Sequence, residues 1–482
     1  MPGSPRSPFD PPLEEMRAMG AAAVDVASRF VDGRYSAPTS DYTGLDALLT
    51  SLAAPPPNTG TALSELLGTI ETAAGKGFDT ANPGFMAYIP GGGLYASALA
   101  DFLACVVNRY TAIAQPAPAL VAMEAAVLRW LCELFGLPPT SQGVLTPGGS
   151  MSNLSAVVAA RTRQLGERFA DGTMYVSAEA HHSIAKSARI AGIPGTGLRV
   201  VPTDDALRMD VDALRAAVVA DRAQGRTPFL VVASAGTINT GVVDPLGAIA
   251  ELAAEQGLWF HVDGAYGGFF QLTERGRCAL GGIELADSIT LDPHKGMFLP
   301  YGTGCLLARD AGALRDAHEL QAHYLPRPSE DPGLPDFSSY TPELTRDFRG
   351  LRLWLPLHLH GVDAFRRALD EKLDLARFAY EQLAALPQLE APWPPELSLV
   401  AFRPQGATAE ETQALLDRVN GSGRVWLSSA PIRGETYLRM CILSHRTHRE
   451  RIEEAVEIVR LRRVRRSGTV TNDQPTPPEE QR

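Results

Sequence analysis

The chain has 482 residues, of which 45% are hydrophobic and 21% are charged, as is usual for a globular protein with a large core. Its formal net charge of -11 is spread along the sequence rather than concentrated in a tail. This acidic balance argues against nucleic acid or an anionic membrane as the main partner, and no apolar run is long enough to span a bilayer.

Cysteine usage and the N-terminal sequence predict a cytoplasmic protein. The five cysteines are odd in number, widely spaced and without a CxxC pair, so neither a disulfide framework nor a metal site is indicated. The first residues, MPGSPRSPFDPP, are rich in proline and lack the apolar core of a signal peptide.

Residues 1–81 are predicted to form an N-terminal helical segment that packs on another body, such as a partner subunit. After the proline-rich start, a helical pattern runs from residue 13 to residue 32, and a second proline-rich break falls at 54–60. These short pieces cannot bury much apolar surface by themselves.

Residues 82–360 are predicted to form a large α/β domain. Apolar runs of strand length alternate with amphipathic helical stretches, which favours a mostly parallel sheet covered on both faces. In such sheets the ligand lies beyond the carboxyl ends of the strands. The predicted strands are 174–178, 198–202, 229–234, 258–263, 288–292 and 304–308.

The C-terminal part is predicted to form a smaller α+β domain at 361–466. A long helical pattern after residue 361 is followed by a strand at 397–403, a helix near 409–419 and two further apolar strands. Residues 467–482 are polar and contain proline, which predicts a disordered tail.

Two charged residues follow consecutive predicted strands, and their pairing is typical of one cofactor. Asp263 ends the strand 258–263, and Lys295 comes just after the strand 288–292. Alone, Asp263 would be interpreted as a turn-capping residue and Lys295 as an exposed loop lysine. Together they supply what pyridoxal 5'-phosphate (PLP) requires: a carboxylate that keeps the pyridine nitrogen protonated and an amine that holds the aldehyde.

Two further motifs stand where helical patterns begin. TPGGSMSN at 146–153 combines glycines, hydroxyls and free amide N–H groups, which suits a phosphate, although it matches neither the Walker pattern nor GxGxxG. AHHS at 180–183 offers His181 and His182, and an imidazole can stack on a flat ring and supply a proton. Each motif alone is also compatible with an ordinary capped helix or a structural histidine.

Found together in this order, HVDGAYGG, LDPHK and AHHS resemble the PLP-dependent group II amino acid decarboxylases, such as the aromatic amino acid decarboxylases. The similarity runs from about residue 82 to residue 447. It implies the aspartate aminotransferase-like fold (fold type I) and a homodimer. It also implies that Lys295 holds the cofactor, that Asp263 pairs with the ring nitrogen, and that His181 stacks on the ring and positions the substrate carboxylate or delivers a proton.

The resemblance implies the rest of the cofactor site as well. Ser150, the Met151 N–H and Ser152 would hold the phosphate, with His294 nearby, and Ala265 would pack under the ring. Asp292 belongs to the same set, but it stands where relatives often have Asn, and a second anion there would repel the phosphate. Ile238 replaces a family threonine and removes one hydroxyl from the site.

The largest departure from the family pattern concerns the proton donor. Phe337 stands where amine-forming relatives carry a loop tyrosine that is thought to protonate Cα, and phenylalanine has no proton to give. Tyr340, three residues on, is a possible replacement, and a long loop of this kind also aligns imprecisely. Tyr88 is predicted to line the substrate pocket, where an aromatic side chain would suit an aromatic substrate; simple core packing is the equal alternative.

The predicted reaction is therefore the PLP-dependent decarboxylation of an aromatic or similar L-amino acid to the amine and CO2. The first alternative is decarboxylation coupled to oxidative deamination, which releases an aldehyde, ammonia and peroxide. The second is β-elimination or transamination, because the same cofactor supports both reactions. A non-enzymatic scaffold is the remaining class, and the presence of both Lys295 and Asp263 speaks against it.

Overall fold

The computed structural model describes residues 7, 9–319, 329, 331 and 333–460. The helices are α1 Leu13–Gly33, α2 Leu45–Leu52, α3 Leu63–Ala74, α4 Tyr95–Val107, α5 Pro118–Leu134, α6 Gly149–Leu165, α7 His182–Ile190, α8 Val211–Ala223, α9 Leu246–Gln256, α10 Glu274–Ala279, α11 Pro293–Gly296, α12 Ala311–His318, α13 Gly350–His360, α14 Val362–Ala384, α15 Ala409–Asn420 and α16 Arg449–Arg460. The strands are β1 Ser40–Asp41, β2 Gly77–Phe78, β3 Gln142–Thr146, β4 Gly172–Ser177, β5 Leu198–Val201, β6 Thr227–Ser234, β7 Trp259–Gly264, β8 Ser288–Leu291, β9 Gly304–Ala308, β10 Leu389–Glu390, β11 Leu399–Pro404, β12 Ser428–Ile432 and β13 Glu435–Cys441.

A seven-stranded sheet forms the centre of the larger domain, in the order β3-β9-β8-β7-β6-β4-β5. The pairs from β8 to β5 are parallel, whereas β9 runs antiparallel to both of its neighbours, β3 and β8. The strands are nearly continuous buried runs; in β6, for example, every residue after Thr227 is buried. Strands buried on both faces need such apolar sequences, so the predicted mostly parallel α/β sheet is confirmed.

The direction of the strands decides where the functional groups meet. β3, β4, β6, β7 and β8 all end at the same edge of the sheet, so the segments that follow them converge there. Local sequence fixes the helices that leave this edge: His181 caps α7 by accepting the Ser183 N–H at 3.2 Å. Asp210 caps α8 in the same way by accepting the Ala213 N–H at 2.9 Å.

A four-stranded antiparallel sheet, in the order β10-β11-β13-β12, forms the smaller C-terminal domain. α14, α15 and α16 pack on it around a second apolar core that contains Phe402, Leu438 and Met440. Gly361, with a φ of 73°, ends α13 and begins α14, at the predicted domain boundary. The predicted α+β character of this part is confirmed, whereas the predicted disordered tail at 467–482 lies outside the described residues.

The three N-terminal helices, α1, α2 and α3, have no buried residue. Apolar side chains on them are therefore exposed, among them Leu13, Met16, Leu49 and Ile70. The predicted packing of residues 1–81 on a partner stays a prediction. In the part of the chain that the structure describes, no helix combines the length and the apolar character that crossing a bilayer would need.

Candidate active site

A cavity of about 500 Å³ opens at the carboxyl edge of the large sheet, a size within the roughly 300–1,000 Å³ that is typical of small-molecule sites. Segments that follow β3, β4, β6, β7 and β8 form its wall. The predicted site residues in that wall are Ser150, Met151, His181, Asp263, Ala265, Asp292, His294 and Lys295. The strand-end carboxylate and the amine on the neighbouring segment therefore share one cavity.

Lys295 lies in the short helix α11, and its amine contacts the buried carboxylate of Asp292. Lys295 Nζ is 2.7 Å from Asp292 Oδ2, and the Lys295 N–H donates to the Asp292 carbonyl oxygen at 2.8 Å. The other carboxylate oxygen, Oδ1, is buried and has no hydrogen-bond partner among the described residues. Asp292 thus holds the amine at the cavity wall, and the lysine in turn compensates the anion that the sequence places beside the phosphate site.

His294 is held from the opposite side by the start of β9. Its Nδ1 lies 2.8 Å from the Thr303 carbonyl oxygen, which can only accept, so Nδ1 carries the proton. Burial lowers the pKa of His294, although Asp292 partly opposes this effect. The ring is therefore neutral near pH 7 and keeps Nε2 as an acceptor.

Asp263 is the penultimate residue of β7 and is only 8% exposed. Oδ1 accepts the Ala265 N–H at 3.1 Å, and Oδ2 accepts a hydrogen bond from Asn153 Nδ2 at 2.9 Å. Two hydrogen bonds to this buried carboxylate fix its orientation. This arrangement suits a carboxylate that must face a protonated ring nitrogen.

The N-terminus of α6 forms the floor of the cavity, where Ser150 and Met151 line the wall. Gly149 is required here, because a Cβ atom at this position would lie 2.9 Å from Asp292 Oδ2 and 3.1 Å from Ala265 Cβ. Ser152 does not fit its predicted contact with the phosphate. It is fully buried, and its hydroxyl lies 2.7 Å from Thr146 Oγ1, so it ties α6 to the end of β3 instead.

His181 lines the cavity as the residue that caps α7. Its Nδ1 is 2.7 Å from Ser183 Oγ, and the neighbouring His182 ring lies 4.1 Å away between centroids. Burial lowers the pKa of His181, while the nearby Asp263 acts in the opposite direction. Near pH 7 the cavity is therefore bordered by a neutral imidazole.

Phe337 and Tyr340 do not line this cavity in the described part of the chain. Phe337 is fully buried, with the guanidinium of Arg346 4.9 Å from its ring centroid. The Tyr340 hydroxyl accepts hydrogen bonds from Arg315 Nε at 3.0 Å and from Nη2 at 2.8 Å. Within one subunit, neither side chain can act at Cα of a substrate. Of the predicted loop, residues 326–328, 330 and 332 lie outside the described residues.

Tyr88 is also absent from the described cavity wall, although it was expected there. Its φ of 53° turns the side chain outward, where it is 55% exposed, and the neighbouring Ile89 enters the wall instead. Ile238 does line the cavity, as its replacement of a family threonine implied. The Tyr88 and Ile238 carbonyl oxygens both accept from Arg439, which fixes these two segments relative to each other.

Several wall residues have no role assigned from the sequence, and two polar examples are Asn153 and Thr237. Asn153 stands inside TPGGSMSN, and only its position one helical turn after Gly149 indicates that it faces the cavity. Thr237 follows the end of β6. A position after a strand end is shared by every polar residue at this edge of the sheet, so it does not single out Thr237. Neither residue type is specific enough to be identified without the structure.

The residues present fit the cofactor that the motifs imply. An amine and a carboxylate with two donors lie in one cavity, together with a neutral imidazole and a helix N-terminus with a serine. These groups match the aldehyde, the ring nitrogen, the ring face and the phosphate of PLP, respectively. The residues therefore match PLP in their chemical types and in lying around one cavity.

Comparisons with known proteins agree with this site. The model of the pyridoxal-dependent decarboxylase conserved domain matches residues 48–405. An aromatic-L-amino-acid decarboxylase of Bacillus atrophaeus is 32% identical over 91% of this chain and 93% of its own length. A phenylacetaldehyde synthase of Arabidopsis thaliana is 30% identical over 78% of this chain and 81% of its own. The crystal structure of Oryza sativa TDC with PLP and tryptamine has a TM-score of 0.89 at 27% identity, covering 95% of this chain and 98% of that one, so fold type I is confirmed.

Proposed function

The chain belongs to the pyridoxal-dependent decarboxylase family, and from this premise we propose that it converts an aromatic L-amino acid to the corresponding amine and CO2. Amino acid decarboxylation with PLP is the activity of the family. The observation that carries the assignment to this site is that Lys295 and Asp263 line one cavity at the carboxyl edge of the sheet. The aromatic substrate and the amine product are the parts that we propose.

When bound, PLP supplies an electron sink for the pair of electrons that the departing carboxylate leaves at Cα. Lys295 would hold its aldehyde carbon, and Asp263 would pair with its ring nitrogen. Ser150 and the Met151 N–H group would contact its phosphate at the start of α6, where the helix dipole favours an anion.

The other wall residues orient the substrate and limit access of water. His181 covers one face of the ring site and presents a neutral imidazole, which can hold a proton near Cα. Ala265 supplies a small apolar surface to the cavity. Catalysis by these groups consists mainly of orientation and of fixed charge near the reacting atoms.

The aromatic substrate class is supported by the character of the wall and by the relatives. Ile89, Ile238 and Tyr266 contribute apolar surface to the cavity. The replacement of a threonine by Ile238 makes this side more apolar, which favours a flat hydrocarbon ring over a charged side chain. The relative from Bacillus atrophaeus is named for aromatic L-amino acids.

Phe337 favours a second candidate function, in which O2 intervenes after CO2 is lost. The balanced reaction consumes one amino acid, one O2 and one water, and it releases an aldehyde, CO2, ammonia and hydrogen peroxide. A phenylacetaldehyde synthase is among the relatives, so the family includes proteins named for an aldehyde product. We propose the amine because Phe337 is buried against Arg346 and does not line the cavity of its own subunit.

The two candidates differ in products, so we predict the outcome of an aerobic incubation with a panel of L-amino acids. We expect CO2 and amine in equal amounts, with an aromatic substrate preferred and no peroxide formed. Phe337→Tyr should change the ratio of amine to CO2 by less than about twofold, which is below 0.5 kcal/mol. Products are measured separately as amine, aldehyde, ammonia and peroxide.

Tyr340→Phe is the matched control for this experiment, because it removes the other nearby hydroxyl without changing Phe337. Aldehyde and peroxide in amounts equal to CO2 from the wild-type protein would contradict the amine proposal. If Phe337→Tyr then forms more amine and less aldehyde than the wild type, the choice between the two products would be assigned to the side chain at position 337.

We propose that the protein is a homodimer, because α4 exposes a row of apolar side chains. The exposed residues are Leu99, Phe102, Leu103, Val106 and Val107. Contiguous apolar surface of this kind is typical of an interface. We expect sedimentation equilibrium to give twice the chain mass for the wild type and to show dissociation for Val106→Asp.

Val200→Asp is the matched control for the association experiment. Val200 on β5 is 64% exposed, close to the 66% of Val106, but it lies at the far edge of the large sheet. A wild-type protein that stays monomeric at micromolar concentration would refute the dimer. Dissociation of both variants would instead rule out a specific role of α4 in the association.

A further inference from the structure

A continuous network of buried hydrogen bonds reaches the cavity wall. It joins Asp263 and His181, the two side chains proposed to contact the cofactor ring. Beside Asp263 and His181, its members are Asn153, Ser183, His261, Ser288 and Trp259. Asn153, Ser183, His261 and Ser288 are at most 2% exposed, and Trp259 is 5% exposed. None of these five residues has yet been assigned a chemical role in the proposed reaction. The network extends from the middle of the large sheet to the cavity wall.

At the far end of the network, Trp259 Nε1 can only donate, and it donates to Ser288 Oγ at 2.8 Å. His261 Nδ1 lies 2.8 Å from Ser288 Oγ and 3.1 Å from the Ser288 carbonyl oxygen, which can only accept, so this end alone does not decide which ring nitrogen carries the proton. Burial lowers the pKa of His261 to about 4, so the ring is neutral and carries one proton. Its Nε2 lies 3.0 Å from Asn153 Oδ1.

The near end decides the orientation of Asn153, and the amide oxygen that results faces His261 Nε2, which must therefore carry the ring proton. The Asp263 carboxylate accepts, so the atom of Asn153 that lies 2.9 Å from Asp263 Oδ2 is Nδ2. The second Nδ2 proton goes to Ser183 Oγ at 3.0 Å. All hydrogen-bonding atoms of the Asn153 side chain are therefore used, and only an amide satisfies both ends.

The branch through Ser183 sets the proton position on His181. Ser183 Oγ accepts from Asn153, so its own hydroxyl proton can point to His181 Nδ1 at 2.7 Å. The Ser183 backbone N–H also donates to this Nδ1, at 3.2 Å. With Nδ1 accepting twice, the single proton of the neutral ring lies on Nε2.

We propose that Asn153 is a positioning residue that locks Asp263 and His181 into one arrangement, with a carboxylate held for the ring nitrogen and His181 Nε2–H kept as the free donor. The proposal deepens the proposed function, because it concerns the site of the same reaction. Asn153 acts through its two neighbours and is not itself a catalytic residue.

The test compares three variants of the full-length protein. Asn153→Leu keeps a similar volume but removes every hydrogen bond of the amide. Ser183→Ala breaks only the branch to His181. Ser155→Ala is the control, because Ser155 is equally buried on the same helix and its hydroxyl has no hydrogen-bond partner among the described residues. The readouts are the dissociation constant of PLP for the apoprotein, the absorption spectrum of bound PLP, and the pH profile of kcat.

We expect Asn153→Leu to weaken PLP binding by about tenfold or more, the size of one lost hydrogen bond to a charged group, and to alter the absorption spectrum. Ser183→Ala should leave PLP affinity within about threefold, but it should shift the pH profile and lower kcat by about tenfold. The other titratable groups that face His181 are Asp263, His182, Lys295 and Asp292, and none of them is changed in this variant.

Equal PLP affinity and equal pH profiles for Asn153→Leu and Ser155→Ala would overturn the proposal. If Asn153→Leu does not fold, an unchanged pH profile and kcat for Ser183→Ala overturn it instead. A wild-type protein that binds PLP but decarboxylates no amino acid would refute the proposed function. The role of Asn153 would still be decided by the comparison of PLP affinities, because PLP affinity does not depend on turnover.

Discussion

Replacing Lys295 with alanine is expected to lower kcat/KM for decarboxylation by at least about 1,000-fold, or about 4 kcal/mol of transition-state stabilisation. The variant loses the amine that lies 2.7 Å from Asp292 Oδ2 at the cavity wall. It also leaves the buried Asp292 carboxylate without its cationic partner, so weaker PLP binding is expected as well. Product formation and PLP affinity are measured on the same preparation.

Borohydride reduction provides a direct measurement for the same variant. The chain contains only four lysines, Lys76, Lys186, Lys295 and Lys372, so the modified peptide identifies the residue unambiguously. Lys186→Ala is the control, because Lys186 is exposed on α7 near the site. We expect labelling of the wild type and of Lys186→Ala at Lys295. Undiminished turnover by Lys295→Ala would refute the assigned role of this lysine.

The second large effect is expected for Asp263→Asn, which should lower kcat by about 100-fold or more, or at least about 2.7 kcal/mol. The new amide can still accept the Ala265 N–H through its oxygen. Its NH2 group, however, would face the Asn153 Nδ2 donor and the ring-nitrogen site, so two donors oppose each other and the compensating negative charge is lost. Steady-state kinetics and the absorption spectrum of bound PLP measure the effect.

Asp287→Asn is the matched control for this change. Asp287 is a half-buried carboxylate beside the sheet, and it accepts the Phe260 N–H at 2.8 Å, which an amide oxygen can still do. It does not belong to the cavity wall. We expect its kcat to stay within about twofold of the wild type. A loss of similar size in both variants would mean that Asp263 acts through stability rather than through the cofactor.

Much of the large sheet could be predicted because buried parallel strands have a simple sequence pattern. The runs that end at Ser234 and Asp263 are apolar, short and bounded by polar residues, and they form β6 and β7. β3 was missed because only two residues of Gln142–Thr146, Val144 and Leu145, are apolar, so it has no apolar run of strand length. The antiparallel direction of β9 was also not predictable, since apolar periodicity does not encode strand direction.

Site residues could be predicted where their position after a strand end brings them to the cavity. They could not be predicted where the direction of the side chain decides whether a residue reaches the cavity. Asp263, Asp292 and Lys295 reach the cavity because the backbone delivers them there. Ser152 was expected at the phosphate, but its position on the first turn of α6 points its hydroxyl to Thr146. Asn153, one residue later, reaches the cavity wall, and this difference depends on the start of the helix, which sequence defines poorly.

Alignment with relatives also could not predict how the loop residues pack. Phe337 and Tyr340 were expected near the substrate from their sequence positions alone. Their contacts with Arg346 and Arg315 depend on how the chain packs in three dimensions, so only the structure reveals them.

The reversal of β9 has a consequence for how the lysine works over many turnovers. Because β9 returns beside β8, the connection that carries Lys295 is anchored at both ends in adjacent strands rather than at one end of a crossover helix. An amine tethered in this way stays at a high effective concentration beside the cofactor after a substrate has displaced it. Rotation of the Lys295 side chain would then be the main movement needed for this amine to hold the cofactor again after product release.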